Sequence, residues 1–170
     1  MTNYFESEFA RSLRLYEGDK ADFMWFRVPD TTMLRYAAGA NNIIAGAVPC
    51  DFIAFYGGRC LLLECKSSRS PSSYCLDYIR DHQLKDLLKA QRCGMTSWFI
   101  FNRRNRKRGN DAWAMKPEIV KDWFDLGMKS VKWEQMMDQG TKIERTWIGG
   151  KPYWMLRPIL EDVSNKGVSV

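Results

Sequence analysis

Asp51, Glu64 and Lys66 are the residues whose types and spacing point most directly to chemistry in this chain. Asp51 follows Val48-Pro49-Cys50 and opens the apolar run Phe52-Ile53-Ala54-Phe55-Tyr56, while Glu64 and Lys66 close the run Leu61-Leu62-Leu63-Glu64-Cys65-Lys66. Gly57-Gly58-Arg59 between them predicts a turn, so the two runs become antiparallel strands with Asp51 beside Glu64. Side chains two apart on a strand share a face, which sends Glu64 and Lys66 one way and Leu63 and Cys65 the other. Two converging carboxylates repel unless a cation lies between them. Hard oxygen donors with room for water suit Mg2+, with Mn2+ as a substitute. Such an ion lowers the pKa of a bound water and stabilises charge on a phosphate, while the lysine ammonium orients the nucleophile or neutralises the transition state. Taken alone, the same Asp…Glu-x-Lys pattern also describes an edge hairpin with solvated charges.

The elements that must position these residues are legible in outline. Asn3 is placed to cap a first helix whose stripe is Phe5, Phe9, Leu13 and Tyr16. Glu6 borders that stripe and Glu8 is its acidic rival for a place at the site. Residues 23–28 read as a first strand. A helix is expected over residues 77–90, with Leu76, Ile79, Leu84, Leu87 and Leu88 packing inward. Gln83 then sits near its middle, to hold a metal-bound water or the lysine, or simply to face solvent. His82, the only histidine, reads as a hydrogen-bonded helix residue rather than a general base. Strands at Trp98–Phe101 and Ala112–Met115 and a helix over Pro117–Asp125 come next. A last hairpin around Gly149-Gly150 joins residues 143–147 to 153–156, and its tryptophans are expected in the core rather than as base-stacking platforms. This order predicts an α/β fold, a mixed β-sheet flanked by helices.

Length and composition suit one domain over residues 1–163 with a flexible tail at 164–170: the chain has 170 residues, 45% hydrophobic and 14% aromatic. No apolar run reaches the length of a membrane span and the N-terminus lacks a signal-peptide pattern, so a soluble cytoplasmic protein is expected. The five cysteines form neither C-x-x-C pairs nor histidine-accompanied sets, which predicts free thiols rather than a zinc site. The net charge of +6 fits a polyanionic partner. Arg103, Arg104, Arg106, Lys107 and Arg108 crowd one predicted hairpin loop between strands, where they could track phosphates or merely solvate a turn. A second, flexible polar loop is expected to leave the catalytic strand at Lys66 and run to Ser73, offering Ser67, Ser68 and Arg69. Arg27 and Arg35 are further candidate phosphate contacts.

Most of the chain resembles the RecU-type Holliday-junction resolvases of the PD-(D/E)XK nuclease superfamily, whose fold is restriction-endonuclease-like. The resemblance lies in Asp51, Glu64 and Lys66, in Asp81-His82-Gln83 at a helix start, in Ala90 to Phe101, in Lys129 to Glu134, and in Tyr4-Phe5-Glu6. It implies a catalytic set of Asp51, Glu64, Lys66, Glu6 and Gln83, and a metal site drawing on Asp51, Glu64, Cys65 and Glu6. It also implies a DNA role for the loop after Lys66, a four-way or other branched DNA substrate, and a homodimer, because paired symmetric cuts need two sites. Three features depart from that family: the interval from Pro29 to Asp51, rich in Ala and Gly over 39–47, is shorter than its stalk, the proline-rich entry to the stalk is reduced to Arg27-Val28-Pro29-Asp30, and Leu62 stands where an acid is common. A resolvase with so reduced a stalk would suit a phage or virus and then act in the host cytoplasm. A restriction-like or repair nuclease on duplex or flapped DNA, and a non-catalytic DNA-binding module, are the alternative readings.

Overall fold

In the computed structural model, which describes residues 4–29, 49–105 and 109–164, helix α1 (Tyr4–Asp19) leads into strand β1 (Phe23–Arg27). Strands β2 (Phe52–Tyr56) and β3 (Arg59–Ser68) follow, then short β4 (Ser73–Cys75), a 3-10 turn (Leu76–Tyr78) and helix α2 (Asp81–Arg92). The remainder runs β5 (Thr96–Asn105), β6 (Gly109–Met115), α3 (Pro117–Asp125), β7 (Ser130–Lys132), α4 (Trp133–Gln139), β8 (Thr141–Ile143), β9 (Arg145–Ile148), β10 (Lys151–Trp154) and α5 (Arg157–Ser164). Six strands form one mixed sheet in the order β1-β2-β3-β5-β6-β8, with β3 and β5 parallel and the other neighbours antiparallel. β4 pairs with β7, and β9 with β10, as two small sheets of their own. Helices cover both faces, the α/β layout expected from the sequence.

Strand β3 is buried on both sides, which is why its sequence is nearly unbroken in apolar residues. Leu61, Leu63 and Cys65 join a core with Phe5, Phe9 and Leu13 of α1 and Ile159 and Leu160 of α5. Leu62 belongs to the opposite core, with Leu87 and Ala90 of α2, Phe99, Phe101 and Trp133. Each such side chain contributes roughly 1.5–3 kcal/mol by leaving water, so the strand bearing Glu64 is fixed from above and below. Gly57 and Gly58 reverse the chain between β2 and β3 at φ 56° and 73°, left-handed angles that a side chain would strain. The turn sets the register Phe52↔Leu63, which brings Asp51 level with Glu64.

Several boundaries differ from the sequence expectation. β3 runs through Ser68, because Lys66, Ser67 and Ser68 pair with Phe101, Asn102 and Arg103 of β5; the polar loop begins at Arg69, not at Lys66. Asn102, Arg103 and Arg104 likewise lie within β5 rather than in a hairpin loop, since pairing with Asn110 to Ala112 satisfies their backbone. Helix α2 starts at Asp81, four residues later than expected, so Gln83 sits in its first turn and not at its middle. There the Gln83 side chain accepts the Arg80 N–H at 3.1 Å, replacing a backbone bond the helix start lacks. Ile143 pairs with Ala112 in the main sheet, leaving the last hairpin to β9 and β10. Of its two tryptophans, Trp154 is core as expected but Trp147 is 62% exposed.

Asn3, Arg35, residues 39–47, Arg106, Lys107, Arg108 and the tail beyond Ser164 lie outside the described residues. All five cysteines are free. Among the described residues no helix is long and apolar enough to cross a membrane.

Candidate active site

The site is assembled where β2 begins and β3 approaches its end. Asp51 is clamped by its main chain: its N–H donates to Leu63 O at 3.1 Å and its carbonyl accepts the Val28 N–H at 2.9 Å. Its Oδ2 accepts the Cys65 N–H at 2.7 Å, so the carboxylate is held against β3. Glu64 is only 2% exposed. Its Oε1 accepts Gln83 Nε2 at 2.5 Å and Lys66 Nζ at 2.8 Å. Lys66 Nζ also donates to Gln83 Oε1 at 2.7 Å, closing a triangle of three side chains from β3 and α2. Strand parity is therefore realised: Glu64 and Lys66 face α2, while Leu63 and Cys65 face α1.

Electrostatics single out Glu64. Burial, followed by the nearby charge of Asp51, pushes its carboxyl up from 4.5 to about 7, against the pull of Lys66 and with a smaller push from Glu6. Tyr74 is buried too, and burial together with Glu64 raises its hydroxyl above the ordinary range.

Asp51 and Glu64 are the residues here that could hold a divalent cation. Both offer hard oxygens, and Mg2+ characteristically takes one or two carboxylates and keeps several waters. The fuller metal set is not assembled from side chains: among the described residues no group of three or more His, Cys, Asp and Glu is gathered to hold a metal ion. The Cys65 thiol packs in the apolar core on the α1 side, so a part for Cys65 falls to its main chain. Burial and then Asp51 hold that thiol protonated. Glu6 turns to Arg27, Oε2 to Nη2 at 2.7 Å, although its charge is still felt at Glu64. Its rival Glu8 is committed elsewhere, to Arg145 and Trp154.

The basic residues divide by what they already touch. Arg27 is paired to Glu6, and Arg103 donates to Asp111 at 2.6 Å while lying over Trp113. Arg103 is thus engaged within the fold, a correction to its reading as a loop cation. Arg104 lies 5.9 Å from the Tyr4 ring centroid, and Arg69 is exposed. Ser68 Oγ accepts the Ser70 N–H, so it shapes the loop, and Ser67 Oγ donates to Asn102 Oδ1 at 3.0 Å.

Asn102 escaped the sequence reading. Fully buried, it donates to Asn110 Oδ1 at 2.5 Å and to Asp111 O at 2.9 Å, tying the end of β3 to β5 and β6 beside Lys66. Its only signal is a polar residue directly after the apolar run ending at Phe101.

Among solved structures the chain is similar to Hjc, a Holliday junction resolvase from the archaeal hyperthermophile Archaeoglobus fulgidus, with a TM-score of 0.43 and 18% identity over 80% of this chain and 94% of that one. No protein-family model and no curated protein matches the chain.

Proposed function

We propose that this chain is a metal-dependent endonuclease that hydrolyses DNA phosphodiesters, and within that class a structure-selective enzyme resolving four-way junctions as a homodimer. The observation that carries the reading is the cluster of Asp51, Glu64, Lys66 and Gln83 around the buried Glu64 and Lys66, in which burial and the charge of Asp51 outweigh the pull of Lys66 and raise Glu64 to about 7. A packing role would not require this: two close acids in a strand pair otherwise destabilise it. A bound Mg2+ would supply water activation and charge on the scissile phosphate, held by the Asp51 and Glu64 oxygens.

The residues of the chain do the remainder. Asp51 is aimed by the Cys65 N–H, so its carboxylate does not swing away from Glu64. Gln83 holds Glu64 through its amide nitrogen and Lys66 through its oxygen, fixing the distance between an anion and a cation. Lys66, held by Glu64 and Gln83, would present its ammonium to the attacking water or to the charge developing on the phosphate. Support for a DNA substrate comes from the net charge of +6 and the cations of β5 and the Arg69 loop. Junction specificity rests on the sequence resemblance, and two-fold assembly on the need for two symmetric cuts.

The test is cleavage of labelled four-way junctions beside matched duplex, with Mg2+ or Mn2+, for wild type, Asp51→Asn and Lys66→Ala. Paired nicks in junctions, abolished in both variants, are expected. Equal cutting of duplex would keep the chemistry and discard junction selectivity. Binding without cleavage under either metal would overturn the enzyme reading.

A further inference from the structure

The β9–β10 hairpin has an aromatic and cationic surface that neither the core nor the proposed catalytic cluster uses. Its cross-strand pairs include Trp147↔Pro152 and Trp154↔Arg145, so these four side chains share one face. The inner half of that face is spent on α1: Trp154 Nε1 donates to Glu8 Oε2 at 3.2 Å and Arg145 Nη2 to Glu8 Oε1 at 2.8 Å. The outer half is not. Trp147 stands 62% exposed, followed by exposed Ile148 and a tip of Gly149 and Gly150, whose φ of 56° and 74° make the turn tight.

Two arginines lie close to that face of the hairpin. The Arg145 guanidinium carbon lies 5.0 Å from the Trp147 centroid. Arg11 of α1 donates to the carbonyl of Pro152, the cross-strand partner of Trp147, at 3.3 Å. Lys151, exposed beside the tip, pairs with Ile148 and so projects from the opposite face. The nearby acids are already matched: Glu8 is buried against Arg145, and Glu144 is paired with Lys142 at 2.8 Å. An exposed indole with arginines beside it complements a nucleobase and its phosphate, the pairing found where single strands are bound by aromatic stacking and a basic track.

We infer that this hairpin is a second nucleic-acid contact, stacking an unpaired base of branched or single-stranded DNA on Trp147 while Arg11 meets its phosphate. Bases inside a duplex are stacked on each other and offer no face, so the contact selects strands that open or cross. The inference rests on the DNA reading above and gives it a source of substrate selectivity outside the catalytic cluster.

The experiment measures binding in a Lys66→Ala background, so that cleavage does not interfere, to oligothymidylate, to a four-way junction and to matched duplex, with 2-aminopurine at the branch as reporter. Trp147→Ala is expected to weaken binding to the single strand and the junction by about tenfold and to reduce 2-aminopurine quenching. Trp147→Phe should recover most of both, and duplex binding should stay as it was. Unchanged single-strand and junction binding, or an equal loss on duplex, would overturn the inference. So would a change in oligomeric state in Trp147→Ala, which would make the indole a contact between copies of the chain. The two readings separate cleanly: wild-type junction cleavage without Trp147 dependence sinks this one alone, and Trp147-dependent binding by a wild type that cuts nothing sinks the nuclease alone.

Discussion

At the residue scale, Glu64 concentrates what the site asks of the fold. Its carboxyl titrates at 4.5 in an ordinary setting and at about 7 here, through burial and the charge of Asp51. Between those values the folded, metal-free protein keeps a proton that the unfolded chain has released, so protonation of Glu64 favours the fold. That stabilisation is complete in acid below the unfolded value and is lost as pH rises through the folded one. Glu64→Gln removes the repulsion from Asp51 and keeps an oxygen to accept from Gln83 and Lys66. In EDTA the variant should therefore match wild type near pH 4 and exceed it near pH 8, by an amount on the order of 3 kcal/mol in urea unfolding. Adding Mg2+ should then stabilise wild type and leave Glu64→Gln unmoved. A wild type that is the more stable protein at pH 8 in EDTA would contradict this account of the site. The strand-borne members of the site were legible because parity alone decides which of Leu63, Glu64, Cys65 and Lys66 share a face. Asn102 was not, because one polar residue ending an apolar strand has no meaning until the parallel register of β3 and β5 sets it beside Ser67.

At the scale of elements, the β9–β10 hairpin depends on one buried charge pair for its seat on α1. Glu8 is 1% exposed and meets both the Arg145 guanidinium and the Trp154 indole, while Ser12 Oγ accepts the Trp154 N–H at 2.7 Å. Removing Arg145 leaves a carboxylate buried without its cation, a loss that typically costs about 3–5 kcal/mol. Arg145→Ala should therefore lower the urea midpoint strongly. Pairing it with Glu8→Met should recover part of the loss, because a buried apolar side chain needs no counter-charge. If the single and double variants are equally unstable, the hairpin is held by Trp154 packing and not by the ion pair. Sequence periodicity gave α1 its stripe and placed the hairpin's glycines, yet it could not divide Glu6 from Glu8 by role. That division follows from which neighbour each meets across the fold, Arg27 on β1 for one and Arg145 on β9 for the other. The late start of α2 has a similar origin. Leu76 and Ile79 are buried from a 3-10 turn, and their apolar spacing mimics a helix that begins only at Asp81.

For the whole molecule, the net charge of +6 could be read from composition, but not which cations are available to a polyanion. Pairing decides that, and pairing depends on register: Arg103 meets Asp111 because β5 and β6 place them directly opposite. A cation held by an acid within the fold adds little to counterion release, since breaking its pair to meet a phosphate gains one contact and forfeits another. Among the described residues no acid pairs with exposed Arg69 or with Arg104 beside the Tyr4 ring, so neither has such an exchange to make. If DNA lies across the ends of β3 and β5, a log–log plot of binding constant against salt should lose about one unit of slope in Arg69→Ala and again in Arg104→Ala. Arg103→Ala should leave the slope near that of wild type while lowering thermal stability, because Asp111 then loses its partner. Salt titrations of duplex binding by the four proteins would measure this directly. A slope change in Arg103→Ala equal to the other two would mean that the Asp111 pair opens on DNA and that β5 meets the backbone with all its arginines. The contact surface would then extend along the β5–β6 arm instead of centring on the Arg69 loop.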